Sequence, residues 1–198
     1  MVAPDNVEVL DLRLVIEAYC QGFFPMADPG SLEIGWYSPD PRTIIPLDVF
    51  RASRSLRRVV RRQVFGIRIN TAFEDVIRGC ADREETWISE QIVRTYVALH
   101  QRGLAHSVEC WRESELAGGL YGVAIGGAFF GESMFSRVSN ASKVALVFLV
   151  DRLRARGFTL LDSQFMNKHI EQFGAIEIRR DQYLEMLAGA VAMDCKFV

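Results

Sequence analysis

The chain has 198 residues, of which 49% are hydrophobic and 24% charged, and its formal net charge is −2. This length and composition supply a full hydrophobic core, as one domain or as one domain with a smaller companion, and exclude a disordered chain. A charge so near zero also excludes a general attraction to polyanions, so any nucleic-acid contact has to be local.

Asp11 predicts an N-cap for a helix over "LRLVIEAYC", with Gly22 just past its end and Pro25 blocking continuation. The stretch that follows, to Pro46, carries five of the six prolines. It reads as a turn-rich linker closing a small N-terminal unit, which gives a division into residues 1–46 and 47–198. "RASRSLRRVVRR" then predicts a helix, "GIRINTAF" a strand entering a helix capped by Asn70, and "WISEQIVRTYVALHQRG" a helix capped by Ser89 and ended by Gly103. "AHSVECWRESELAGGLYGVAIGGAFFGESMF" alternates and breaks at glycines, as antiparallel strands do. A helix capped at Ser139 or Asn140 runs to Gly157, and a strand, a short helix, a glycine turn and the helix "DQYLEMLAGAV" complete the chain. A block of strands followed by helix and strand predicts an α+β fold with a mixed, largely antiparallel sheet.

Two features stand out chemically. Arg51, Arg54, Arg57, Arg58, Arg61 and Arg62 fall in one segment without an acid, and on a helix five of them form a continuous basic stripe. A solvated face usually mixes signs, whereas a stripe of one sign fits a polyanionic partner such as nucleic acid or phosphate. The second feature is "GFTLLDSQF", where strand alternation puts Phe158, Leu160, Asp162 and Gln164 on one face. In "GGAFFGESMFS" the same rule puts Ala128, Phe130, Glu132 and Met134 together. If the two strands meet, Asp162 and Glu132 converge in an apolar wall, where carboxylates attract a cation or work on protons. The plainer alternative is that each acid is satisfied by local backbone amides or by Lys143 or Arg137.

Other chemistries find no support. No G-x-S-x-G, P-loop, G-x-G-x-x-G after a strand, or H-E-x-x-H occurs. Cys20, Cys80, Cys110 and Cys195 are scattered away from His100, His106 and His169, so the expectation is reduced thiols and no metal. The longest strongly apolar run, residues 144–150, is too short for a bilayer, and the N-terminal stretch carries acids where a secretory signal needs bases. The expectation is a soluble cytoplasmic protein without membrane partners.

The blocks "AYCQGFFP", "WYSPDPR", "SRSLRR", "GCADREETWI", "GESMFSRVSNASK", "LLDSQFMNKHIEQFGA" and "IRRDQYLEML" together resemble the leucyl/phenylalanyl-tRNA protein transferases over nearly the whole chain. The resemblance implies a small N-terminal domain followed by an N-acetyltransferase-like (GNAT) domain. It implies transfer of Leu, Phe or Met from aminoacyl-tRNA to the α-amine of proteins beginning with Arg or Lys, which marks them for degradation by the N-degron pathway, without a cofactor. By position, Asp162 and Gln164 match the paired polar residues of the reaction centre, Glu132 the acid that holds the basic acceptor, and Trp87 an aromatic beside the terminal adenosine. The arginines from Arg51 to Arg62 overlap the tRNA-facing cluster. Leu120, Phe129, Phe130, Met134 and Phe173 are candidates for the aminoacyl pocket. Where relatives carry Trp after "FP" this chain has Met26, and where Cys is common it has Ser163.

Three other readings compete. An acetyl-CoA-dependent N-acetyltransferase needs a glycine loop opening a helix, and "SRVSNASKVAL" has none there. A non-catalytic RNA-binding module accounts for the arginines and leaves the acids unexplained. Transfer of Leu to acidic N-termini calls for a basic acceptor pocket, against Glu132. The oligomeric default is a monomer.

Overall fold

A computed structural model describes residues 7–198, so the reading of residues 1–6 as part of a leaderless N-terminus lies outside the described residues. Helix α1 (Leu12–Cys20) forms where expected, with Asp11 accepting from the Arg13 amide at 2.9 Å and Leu12, Val15 and Tyr19 on the buried face. The turn-rich stretch is more ordered than its prolines predict. It holds a hairpin of β1 (Phe24–Ala27) and β2 (Ile34–Tyr37), and then β3 (Arg42–Ile44).

The remaining elements follow as α2 (Arg54–Arg61), β4 (Gly66–Ile69), α3 (Phe73–Ala81), α4 (Glu90–Gln101), β5 (Ala105–Arg112), β6 (Glu115–Ile125) and β7 (Ala128–Ser136). The chain closes with α5 (Ala141–Ala155), β8 (Leu160–Gln164), α6 (Lys168–Glu171), β9 (Ile176–Ile178) and α7 (Arg180–Val191). A seven-stranded sheet runs β4-β5-β6-β7-β8-β3-β9. Every pairing in it is antiparallel except β7 with β8, whose parallel register is the one α5 bridges. The fold is therefore mixed α+β with a mostly antiparallel sheet. β3 precedes Pro46 in sequence and nevertheless sits inside this sheet, between β8 and β9.

Both faces of the sheet are covered. One core cluster joins Val15 and Tyr19 of α1, Val76 of α3, Tyr96 of α4 and Tyr183 of α7 to Tyr121, Phe130 and Leu160 of the sheet. The other joins Leu56 of α2, Leu146 and Leu149 of α5 and Ile170 of α6 to Leu120, Phe129 and Leu161. Close strand contact sets the glycines of β6: a Cβ at Gly122 would lie 2.2 Å from the Phe130 carbonyl oxygen, a distance only glycine avoids.

Several local expectations change. Asn70 does not cap α3; the N-cap is Ala72, without a side-chain bond. The turn leading into α3 is held from β5, where the buried Glu109 accepts from Thr71 N at 3.0 Å and Ala72 N at 3.3 Å. α5 starts at Asn140 in left-handed backbone without a side-chain cap, and Ser136 Oγ accepts from the Ser142 amide at 2.9 Å instead. Simple alternation also fails twice. Phe158 precedes β8 and packs with the cluster opposite to that of Leu160. In β7, a bulge between Gly131 and Ser133 leaves Glu132 without a partner on β6, so Met134 packs with the Phe129 side and Phe135 with the Phe130 side.

Candidate active site

Pairing of β7 with β8 stops at Phe130 opposite Asp162. Beyond that point the strands part, and a cavity of about 530 Å³ opens between them. Its apolar wall comes from Ile45, Leu120, Met134, Leu146, Leu149 and Leu161. Glu132, Ser133, Ser163 and Gln164 form the polar wall, and Met26, Arg83, Trp87 and Phe165 contribute further along it. The bulge in β7 positions Glu132, and the end of β8 positions Asp162 and Gln164.

Asp162 has no exposed surface. Its Oδ1 accepts from Arg42 Nε at 2.9 Å and from the Gln164 amide at 3.0 Å. Its Oδ2 accepts from Arg42 Nη2 at 2.6 Å and from the Tyr183 hydroxyl at 2.7 Å. Four donors thus occupy the acceptor positions of the two carboxyl oxygens. Burial works against the Arg42 charge, but the Asp162 fork outweighs it and leaves the guanidinium above its ordinary value. Burial, reinforced by Asp162, raises Tyr183, so its hydroxyl stays a donor.

Glu132 is held differently. Tyr19 donates to its Oε1 at 2.7 Å, and the Tyr96 hydroxyl, 3.2 Å from Oε2, has one proton to give either to that oxygen or to the Tyr19 hydroxyl beside it. The outer end of the Gln164 amide lies 3.4 Å from Glu132 Oε1. With its nitrogen turned to the backbone, Gln164 donates to Gly131 O at 2.8 Å and Ser163 O at 3.1 Å, which directs its carbonyl oxygen at Glu132. Two oxygens then face one another on the wall of an apolar cavity, an arrangement suited to a shared proton or an amine. Glu132 lies deep but keeps one side on the cavity, and burial, with a smaller push from Asp162, raises its carboxyl to about 8 despite the tyrosine bonds. Burial, then Glu132, also raises both tyrosines.

The pH consequence has a definite sign. The native state keeps the Glu132 proton up to about pH 8, while an unfolded chain releases it near 4.5. Stability from this group is therefore full below the lower value and is lost as pH rises through the upper one. Urea unfolding of the unliganded chain should show a loss on the order of 1–3 kcal/mol over that window, a figure reduced for the open side of the carboxyl. Glu132→Gln should flatten the slope.

Leu120, Met134 and Trp87 line the cavity, as do Glu132, Asp162 and Gln164. Phe129, Phe130 and Phe173 do not: each is fully buried in a core cluster, Phe130 against Tyr19 and Phe173 against Phe50. Arg54, Arg57, Arg58 and Arg61 are exposed on α2, Arg51 just before it and Arg62 at its C-cap, and none of the six lines the cavity. Neither Lys143 nor Arg137 satisfies the acids. Sequence reasoning missed Arg42, Tyr19, Tyr96 and Tyr183, along with the α5 residues of the apolar wall. Among the described residues, no group of three or more His, Cys, Asp or Glu is placed to hold a metal, and no helix is long and apolar enough to cross a membrane.

Fold and site together define a class: a mixed α+β protein with an apolar cavity whose wall carries acceptors for a cation or an amine. The sequence profile of the leucyl/phenylalanyl-tRNA protein transferase family matches residues 44–188, and that of the family's N-terminal domain matches residues 8–40. A leucyl/phenylalanyl-tRNA protein transferase of Gloeobacter violaceus is 58% identical over 93% of this chain and 96% of its own length. One of Rubrobacter xylanophilus is 56% identical over 93% of this chain and 97% of its own. A third, of Salinibacter ruber, is 55% identical over 95% and 82%. Among solved structures, L-PGS from Bacillus licheniformis overlays with a TM-score of 0.45 at 11% identity, over 77% of this chain and 65% of that one, a likeness too low to carry weight. The chain belongs to the leucyl/phenylalanyl-tRNA protein transferase family, and it is a transferase enzyme.

Proposed function

We propose that the chain moves Leu, Phe or Met from aminoacyl-tRNA to the α-amine of proteins that begin with Arg or Lys, by aminolysis of the aminoacyl ester. The observation that carries this reading is the apolar cavity with Glu132 and, in the turned amide orientation, the Gln164 carbonyl oxygen on its wall. Leu, Phe and Met fit an aliphatic wall of Leu120, Met134, Leu146, Leu149 and Leu161, and such a wall separates them by only about 1–3 kcal/mol per methylene. A basic acceptor brings a side-chain cation and an amine to these oxygens. Trp87, on the cavity wall, is assigned to the terminal adenosine.

An α-amine titrates near 7.7–8.0, so roughly 10–20% is already nucleophilic at neutral pH. Alignment lowers a barrier by about 7–11 kcal/mol, against roughly 10²–10⁴-fold for acid–base assistance, so positioning dominates. The four donors on Asp162 favour an orienting role over that of a base. In the reaction the amine nitrogen bonds to the ester carbonyl carbon and the bond to the ribose oxygen breaks. The amine gives up one proton as the amide forms; the Glu132 carboxyl relays it, and it ends on the ribose oxygen, which leaves as a hydroxyl.

The exposed arginines from Arg51 to Arg62 are assigned to the tRNA backbone. Affinity for charged tRNA should fall linearly on a log–log plot against salt, and the slope should drop by about 0.7–0.9 per arginine that contacts a phosphate. Unchanged slope after replacing Arg54, Arg57 and Arg58 would remove the stripe from the tRNA site. We further assign the fold to the N-acetyltransferase-like group, with a small N-terminal unit ahead of the catalytic unit. The test of function is direct: Leu-, Phe- and Met-tRNA are offered with peptides beginning Arg, Lys, Asp or Ala. Transfer to Arg and Lys peptides is expected, and its absence overturns the reading.

A further inference from the structure

We propose that Arg42 and Tyr183 are positioning residues for the transfer, acting through Asp162 on Gln164; the inference rests on the function proposed above. Gln164 is the last residue of β8, and its backbone lies in left-handed space at φ 58°. A non-glycine residue adopts that conformation at some energetic expense and keeps it only where its surroundings hold it. The holding contact is its own amide, which donates to Asp162 Oδ1 at 3.0 Å across one intervening residue.

That contact has a fixed direction only if the carboxylate cannot turn, and Arg42 prevents the turn. Its guanidinium donates from Nε and Nη2 to the two different oxygens at 2.9 and 2.6 Å, while Nη1 donates to Gly22 O at 2.9 Å. The ring of Phe24 lies 4.9 Å from the guanidinium carbon and that of Tyr183 4.5 Å, so packing fixes the plane as well. The Tyr183 hydroxyl supplies the fourth bond. β3 carries Arg42 next to β8, with Thr43 opposite Gln164 and Ile44 opposite Asp162 across a register shift. The chain of constraint therefore runs from the Arg42 fork to the carboxylate, to the Gln164 backbone, and to the side-chain amide that Gly131 O and Ser163 O fix in turn. Its last atom is the carbonyl oxygen facing Glu132, where the acceptor amine is to sit.

A buried ion pair can also be purely structural, and often contributes little to stability beyond a hydrophobic replacement. The two roles separate in a double-mutant cycle. Arg42→Lys keeps the charge and loses the fork. If Arg42 acts through Gln164, Arg42→Lys lowers single-turnover transfer from Leu-tRNA to an Arg peptide about 10-fold or more, with the Kd for Leu-tRNA unchanged. In a Gln164→Ala background the same change then has little further effect. Tyr183→Phe, which keeps the ring and removes one donor, gives a smaller loss with the same dependence on Gln164, and serves where Arg42→Lys does not fold. An equal fold-loss in both backgrounds, or an unchanged single-turnover rate in the folded variants, overturns the inference alone. No transfer by the unaltered chain to any peptide overturns the functional reading and this inference with it.

Discussion

Asp162→Ala is expected to lower the free energy of unfolding by about 3–5 kcal/mol, because it leaves the Arg42 guanidinium buried without a counter-charge. Arg42 is 1% exposed, and apart from Asp162 its polar contact is the Gly22 carbonyl, so water does not compensate the loss. Tyr183 loses its acceptor as well. Urea denaturation reads the effect as a shift in midpoint at constant slope. Replacing both partners together, as Arg42→Met with Asp162→Leu, should recover most of the stability, since the unpaired charge rather than the missing attraction is what destabilises. Transfer activity should not return with it, because Gln164 loses the contact that holds its backbone. An unshifted midpoint in Asp162→Ala would show that Arg42 finds another partner or reaches water.

Glu132→Gln has its largest effect on the acceptor. Leaving a buried cationic group without its carboxylate typically reduces binding by about 2–5 kcal/mol, so kcat/KM for an Arg-initiated peptide should fall on the order of 30- to 5,000-fold. Affinity for Leu-tRNA should stay within about twofold, since Leu120, Leu146, Leu149 and Leu161, on the apolar wall, hold the aminoacyl side chain in this account. Steady-state kinetics with each substrate varied in turn separates the two terms. Equal losses for both substrates would place Glu132 in the shared frame of the cavity and not at the acceptor.

Much of the fold was legible because its signals are local. Asp11 and Ser89 cap helices through their own side chains, as expected, and glycine-broken alternation located β5, β6 and β7. What escaped depends on distant partners. Glu109 holds the turn into α3 from another strand, and Arg42 pairs with Asp162 across 120 positions, from a segment whose prolines read as linker. Tyr19 and Tyr96 lie on the buried faces of amphipathic helices, where nothing in the pattern separates a hydroxyl aimed at Glu132 from an ordinary core ring. One bulge residue accounts for the error at β7, where strict alternation joined Met134 to Phe130 although they face opposite sides of the sheet. The two acids were visible as polar interruptions of apolar strands. Their difference in environment, one saturated by Arg42 and Tyr183 and one half-open with its carboxyl raised to about 8, was not.

The central claim is that the polar wall of the cavity selects a basic acceptor for an apolar aminoacyl group. Its most direct test is the single-turnover rate of Leu transfer from Leu-tRNA to matched peptides that differ only in a first residue of Arg, Lys, Ala or Asp. The account predicts rapid transfer to the Arg and Lys peptides, with a deficit of at least about 30-fold for Ala and Asp that shrinks in Glu132→Gln. Equal rates for all four peptides, or faster transfer to Asp, would contradict it.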